Sequence, residues 1–292
     1  MDGALLAPEE TRAEALGRVA ALLERSGVEE PRRDARALLL AAGELTPADL
    51  LLEPSALLSP EARRRLDRFA RRRAAREPVS RILGARGFWT QDLVVAPDVL
   101  DPRADTETLV ALALDLIGAR RGEALTILDL GVGSGAIVCA LLSELPLARA
   151  VAVDLSPSAC AAASTNFARC GLDSRAMILR GRWAEALDAR FDLVVSNPPY
   201  VASGEIATLA PEVTLHDPAL ALDGGVDGLA RYREIIDDLP RLMAPRSFAV
   251  LEAGAGQAPT IAALLVAAGL EIAEIRKDFS GCERAIGARR RD

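Results

Sequence analysis

Two short stretches of this chain carry side chains and backbone groups suited to chemistry. The first is Asn197-Pro198-Pro199-Tyr200, which closes the apolar run "FDLVVSN". Proline has no backbone N–H and a fixed φ, and the first of the pair keeps Asn197 out of the helical region. A buried strand thus ends in a stiff corner that presents an amide, free prolyl carbonyls and a phenol. The asparagine and prolyl carbonyls are acceptors. Together they match the two N–H bonds of a planar –NH2 group, with Tyr200 to cover its face. The second stretch is "ILDLGVGSGAIVCALL". Asp129 closes a strand, and the loop Gly131, Val132, Gly133, Ser134, Gly135 leads into a helix. Glycines allow a tight turn and close approach of backbone to a ligand, and a helix start offers free N–H groups to an anion. Asp154 ends the following strand, "AVAVDLS", where its carboxylate can accept from two ribose hydroxyls.

The spacing G-x-G-S-G is not the G-x-G-x-x-G of dinucleotide binders, and no Walker lysine follows. It favours a nucleoside cofactor whose anion is a carboxylate, a description that S-adenosylmethionine fits. The chemistry expected is methyl transfer to a planar nitrogen, either an amide or a nucleobase amine. Such a nitrogen is a poor nucleophile because its lone pair is delocalised. Acceptors aimed at both N–H bonds hold it in line and favour rehybridisation, so positioning and electrostatics do most of the work. No strong general base is needed. That agrees with a single histidine, His216, which sits beside Asp217-Pro218 in a loop and is read as structural. The four cysteines (139, 160, 170, 282) form no C-x-x-C pair, which argues against a zinc site and a disulfide framework. A second glycine pair, "LEAGAGQAP", reads as a strand-to-helix turn.

The elements that position these groups fall into two parts. Residues 1–78 read as a small helical bundle, with Thr46-Pro47 and Ser59-Pro60 as N-cap and first-turn pairs. Residues 79–100 read as a linker with a β-hairpin. From 101 to 292 strands and helices alternate, which predicts an α/β domain with a mostly parallel, seven-stranded, Rossmann-like sheet and helices on both faces. Ligands in such sheets bind beyond the carboxyl ends of the strands. The Arg63–Arg76 cluster reads mainly as the solvated face of a helix whose Leu66, Phe69 and Ala70 face the core. Residues 1–78 hold 14 arginines and 14 acidic residues, and the remainder holds 21 basic against 28 acidic, for a net charge of −7. An acidic larger domain argues against a nucleic-acid footprint. No apolar stretch reaches the roughly 18–20 residues of a membrane span, and the acidic, amphipathic start is unlike a secretory signal. A cytoplasmic protein is expected.

On these motifs the chain resembles the protein N5-glutamine methyltransferases that modify peptide chain release factors, the HemK/PrmC family. "NPPY" with "DLGVGSGAI" would admit many amino-methyltransferases. The segments "REPVSRILGARGFW", "DPRADTETLV" and "EVTLHDPALALDGGVDGL" are more specific. The resemblance implies S-adenosylmethionine as methyl donor, the glutamine of a Gly-Gly-Gln loop as acceptor, and a release factor as protein partner docked by the N-terminal bundle; a monomer is expected. It implies cofactor contacts at Gly131, Gly133, Gly135, Asp154, Trp183 and Asn197, and a glutamine site at Asn197, Pro198, Pro199 and Tyr200, with Phe88 and Thr106 flanking. No metal is implied. Ala104, Asp105, Arg182 and Cys282 depart from the family pattern. The alternative is an adenine-N6 methyltransferase acting on a flipped base of DNA or RNA.

Overall fold

The computed structural model describes residues 5–290; the first four and last two residues of the spans above lie outside the described residues. The chain divides into two compact units. One gathers the residues up to Gly84 together with Pro211–His216, and the other comprises Ala85–Ala210 and the chain from Asp217 onward.

The first unit is helical: α1 (Arg12–Arg25), α2 (Pro31–Gly43), α3 (Pro47–Leu52), α4 (Pro60–Ala74) and α5 (Val79–Leu83). Local chemistry sets the helix starts. Thr11 with Glu14 and Thr46 with Asp49 form capping boxes, and Ser59 accepts from the Ala62 N–H; each such cap is worth ~1 kcal/mol. Leu23, Leu38, Leu39 and Leu66 are fully buried in its core. The helix α5 lies at the start of the 79–100 span read as a linker with a β-hairpin. Pro78 stands at its N-cap and Gly84 closes it in the left-handed conformation, so proline and glycine bracket one extra helical turn before the hairpin begins.

The arginines of α4 are mostly paired rather than free. Arg65 meets Glu44, Arg71 meets Asp67 and Arg72 meets Glu77. Arg73 departs from the expected solvated face. It is buried, and it bonds Asp34 at 2.8 Å and Glu212 at 2.9 Å. Arg76 also holds Glu212. Burial works to raise the Glu212 pKa, yet the two guanidinium groups carry it down to about 2.

The second unit opens with the hairpin β1 (Ala85–Phe88) and β2 (Gln91–Val94), then α6 (Glu107–Ile117), β3 (Thr126–Leu130), α7 (Ala136–Glu144), β4 (Arg149–Asp154), α8 (Pro157–Arg169), β5 (Ala176–Arg180) and β6 (Phe191–Ser196). The short helix α9 (Pro211–Thr214) belongs to the first unit. The chain then continues with α10 (Ala230–Leu242), β7 (Met243–Glu252), α11 (Ala258–Ala267), β8 (Leu270–Lys277) and β9 (Glu283–Arg290). Seven strands form one sheet in the order β5-β4-β3-β6-β7-β9-β8, parallel except for β9, which runs antiparallel to β7 and β8. Strands buried on both faces explain the near-continuous apolar runs in the sequence. Ile127, Leu193, Val195 and Val250 pack under α6, α7 and α8, while Leu128, Val194, Ala249 and Leu251 pack under α10 and α11. Strand order reverses between β3 and β6, so their carboxyl ends, the glycine loop and Asn197, flank the switch point. Among the described residues no helix is long and apolar enough to cross a membrane.

Candidate active site

A cavity of about 270 Å3 lies at the carboxyl edge of the second unit's sheet. Gly131 and Gly133, Asp154, Trp183, Asn197 and Pro199 all line it. These residues come from the ends of β3, β4, β5 and β6, gathered by the parallel register Asp129↔Val195 and Leu130↔Val153.

Gly131 and Gly133 take φ of 82° and 53°, values that side-chain-bearing residues rarely adopt. Asp154 organises the loop they form. Its Oδ2 accepts from the Gly133 N–H at 2.9 Å and its Oδ1 from the Ser156 N–H at 2.8 Å. Each oxygen keeps a further lone pair for a ligand hydroxyl. Burial raises the Asp154 pKa, partly offset by those backbone N–H groups. Asp129, behind the loop, is wholly buried, and among the described residues neither of its carboxylate oxygens has a hydrogen-bond partner. Burial first, and the Asp154 charge second, push its pKa up to about 8.

Val132, Ser134 and Gly135 were expected beside the cofactor but do not line the cavity. Val132 turns into the core under α7. Ser134 is buried, and its carbonyl accepts from Asn166 Nδ2 at 2.9 Å. Gly135 serves packing: a Cβ there would sit 2.7 Å from Phe167 Cε1 and 3.3 Å from the Ala163 backbone.

Trp183 holds a positive φ of 44°, an uncommon conformation for a bulky residue. Its indole N–H donates to Glu234 Oε2 at 2.5 Å, and Arg182 pairs with Oε1 of the same carboxylate at 3.0 Å. Burial works to raise the Glu234 pKa, but the Trp183 and Arg182 hydrogen bonds carry it below the ordinary value. Glu234 sits on α10, about fifty residues downstream, and no local pattern pointed to it.

At the end of β6, Asn197 donates from Nδ2 to Thr106 Oγ1 at 3.2 Å. Its Oδ1 is the end left to face a ligand. Pro198 is buried and Pro199 lines the cavity. Tyr200 does not line it; the ring packs on the core beneath α10 and α11. Burial and then the Glu252 charge raise the Tyr200 pKa. Its carbonyl accepts from Gln257 Nε2 at 2.9 Å, so the second glycine turn clamps the exit of the motif. His216 belongs to the first unit, and among the described residues its buried Nε2 has no hydrogen-bond partner.

Residues 14–84 match the family described as PrmC N-terminal domain, and residues 105–225 match the methyltransferase small domain. The chain is 48% identical over 276 residues to the release factor glutamine methyltransferase of Rhodospirillum rubrum, covering 94% of this chain and 84% of that one. The protein of the same name from Cereibacter sphaeroides is 43% identical, covering 95% and 98%. A crystal structure of a ribosomal protein L11 methylase from Lactobacillus delbrueckii subsp. bulgaricus superposes with a TM-score of 0.51 at 18% identity, over 68% of this chain and 84% of that one. That likeness is one of fold.

Proposed function

The chain belongs to the release factor glutamine methyltransferase family, and on that premise we propose that it methylates the side-chain amide nitrogen of the glutamine in the Gly-Gly-Gln loop of a peptide chain release factor, with S-adenosylmethionine as donor. The observation that carries this reading is the convergence of Asn197, the glycine loop and Asp154 on one cavity. Relatives named for glutamine favour an amide over a nucleobase amine as the planar acceptor.

The residues present fit the donor. The backbone of Gly131 and Gly133 is open to approach, Asp154 has lone pairs to spare for ribose hydroxyls, and the Trp183 ring offers a flat apolar face for adenine. When bound, S-adenosylmethionine supplies an electrophilic methyl carbon. The protein's own part is to hold the acceptor. Asn197 Oδ1 and the Pro198 carbonyl take the two amide N–H bonds, which turns the nitrogen lone pair towards the donor side. Neither carbonyl removes a proton in the ground state; they stabilise the positive charge that grows on nitrogen as the bond to carbon forms. The N-terminal helical unit is proposed to recognise the body of the release factor rather than the glutamine.

Incubating a release factor with the protein and labelled S-adenosylmethionine should add one methyl group at the Gly-Gly-Gln glutamine by mass spectrometry. A short Gly-Gly-Gln peptide should be modified at the same site with a much higher KM. Label on DNA or RNA but not on the factor would refute the assignment.

A further prediction concerns Asp154. Replacing it by alanine removes one support of the glycine loop, one of the turn at Ser156, and the acceptor for the ribose. Asp154→Ala should weaken S-adenosylmethionine binding about 5- to 150-fold, or ~1–3 kcal/mol. Titration calorimetry giving the wild-type affinity would contradict the placement.

A further inference from the structure

Behind Asn197 lies a second carboxylate that the motifs do not announce. Glu252 ends β7, and the pairing Ser196↔Leu251 brings residues 197 and 252 to the same edge of the sheet. Its relative exposure is 1%, and among the described residues its Oε2 has no hydrogen-bond partner. Thr106 stands between the two. It is 5% exposed, its Oγ1 accepts from Asn197 Nδ2 at 3.2 Å, and hydrogen bonding from both its side chain and the Asn197 amide works to lower the Glu252 pKa against burial.

We infer that Glu252 is a positioning residue for the methyl-accepting amide, acting through Thr106 to set which end of the Asn197 side chain faces the cavity; this rests on the role proposed above for Asn197. An asparagine amide has nearly the same shape when flipped, so sterics alone do not choose between C=O and NH2. A threonine hydroxyl has one proton. Once that proton is given to a carboxylate, the hydroxyl meets Asn197 with a lone pair. It must then accept, which draws Nδ2 towards Thr106 and turns Oδ1 to the substrate. Chemical identity at one end of the relay fixes orientation at the other.

The ionised form of Glu252 is the one that performs this task. Protonated, it would donate to Thr106, and the freed hydroxyl proton would seek Oδ1 and reverse the amide. Burial pushes the Glu252 pKa up to about 7 against the lowering pull of Thr106, Arg284 and Asn197, while Asp105 adds to the rise. The groups that face it are Arg284 from β9, paired with Asp278 at 3.0 Å and Asp105 at 3.4 Å; Tyr200 beyond β6; and Tyr232 of α10, whose hydroxyl donates to the Glu252 backbone carbonyl at 2.8 Å. Tyr200 and Tyr232 both titrate above the ordinary phenol value through burial, so neither changes charge near neutrality.

The test is a double-mutant cycle on full-length protein, with a release factor and S-adenosylmethionine saturating. Glu252→Ala should lower kcat about 10- to 100-fold, with both KM values within about threefold of wild type. In an Asn197→Ala background the same change should cost less than about threefold, because the orientation it sets no longer matters. Glu252→Gln keeps a carbonyl acceptor and should restore most of kcat. Wild-type kcat should show an ascending limb near pH 7, and that limb should vanish in the Glu252→Gln variant. Additive losses, or turnover of Glu252→Ala within twofold of wild type, overturn the relay and leave the Asn197 assignment standing. Wild-type turnover in Asn197→Ala alone sinks that assignment itself. If circular dichroism shows Glu252→Ala unfolded, the cycle run with Thr106→Val, and with Thr106→Ser as the restoring variant, decides the matter by the same criteria.

Discussion

Asn197→Ala is expected to lower kcat about 30- to 1,000-fold, a transition-state loss of ~2–4 kcal/mol comparable to removing one oxyanion-hole donor. The variant deletes an acceptor for one amide N–H and leaves that N–H under-satisfied in a closed site. Asn197→Asp is the sharper comparison. It keeps an oxygen in the position of Oδ1, but the Nδ2 donor to Thr106 at 3.2 Å is gone. It also adds a carboxyl close to Glu252, which burial already holds near neutrality. Like charges at such range share a proton, so the Asp variant should be as poor as Ala above pH 7. Single-turnover rates with a release factor are the measurement. Wild-type rates in both variants would show that Asn197 does not position the acceptor.

Gly228→Ala should cost about 100-fold in kcat although Gly228 does not line the cavity, the scale of loss expected when a positioned group shifts by ~1 Å. Its φ is +72°, and a Cβ built there falls 2.5 Å from the Tyr200 carbonyl oxygen and 2.7 Å from Gln257 Nε2. Those two atoms hydrogen-bond each other. The strip 222–228 is stitched to the segment after Tyr200 by Val201 N–H to Leu222 O, Gly224 N–H to Val201 O and Ser203 N–H to Gly225 O. The nearest of these neighbours is a backbone oxygen that cannot swing away as a side chain could, and the Asn-Pro-Pro-Tyr corner must move instead. Gly204→Ala is the control, since nothing lies within 4 Å of its added Cβ and its φ is ordinary. Equal turnover of the two variants would refute the clamp.

How much of this was legible in the chain depends on the range over which each feature is encoded. Helix starts at Thr46 and Ser59 are local, and they stand where the cap residues place them. The strand–helix alternation follows from runs of four to six apolar residues, and it predicted the mostly parallel seven-stranded sheet. The Asn197 corner and Gly131–Gly135 loop are short motifs with their own stereochemistry. The misreadings share a cause in tertiary context. Val79–Leu83 carries the β-branched residues Val79 and Ile82, yet becomes a helical turn packed in the first unit. Arg73 looks like its exposed neighbours in sequence, but its partners Asp34 and Glu212 come from far along the chain. Glu252 lies in "VLEAGAG", where the glycines draw attention and the acid looks incidental. Only the β6–β7 register shows what it stands beside. Glu234 is hidden for the same reason, being one of many charges on an amphipathic helix until Trp183 is seen to reach it.

The protein has two tryptophans, and their settings differ in a way that an optical measurement can use. Trp89 is tied to Glu144 at 2.8 Å and packs against the core under α7, whereas Trp183 borders the cavity. Replacing Trp89 by phenylalanine would leave one fluorophore at the edge of the binding space. Its emission would then report the arrival of a purine ring directly, through quenching, with no label attached and no turnover required. The indole that the fold holds in an unfavourable backbone conformation thus doubles as a built-in indicator of occupancy.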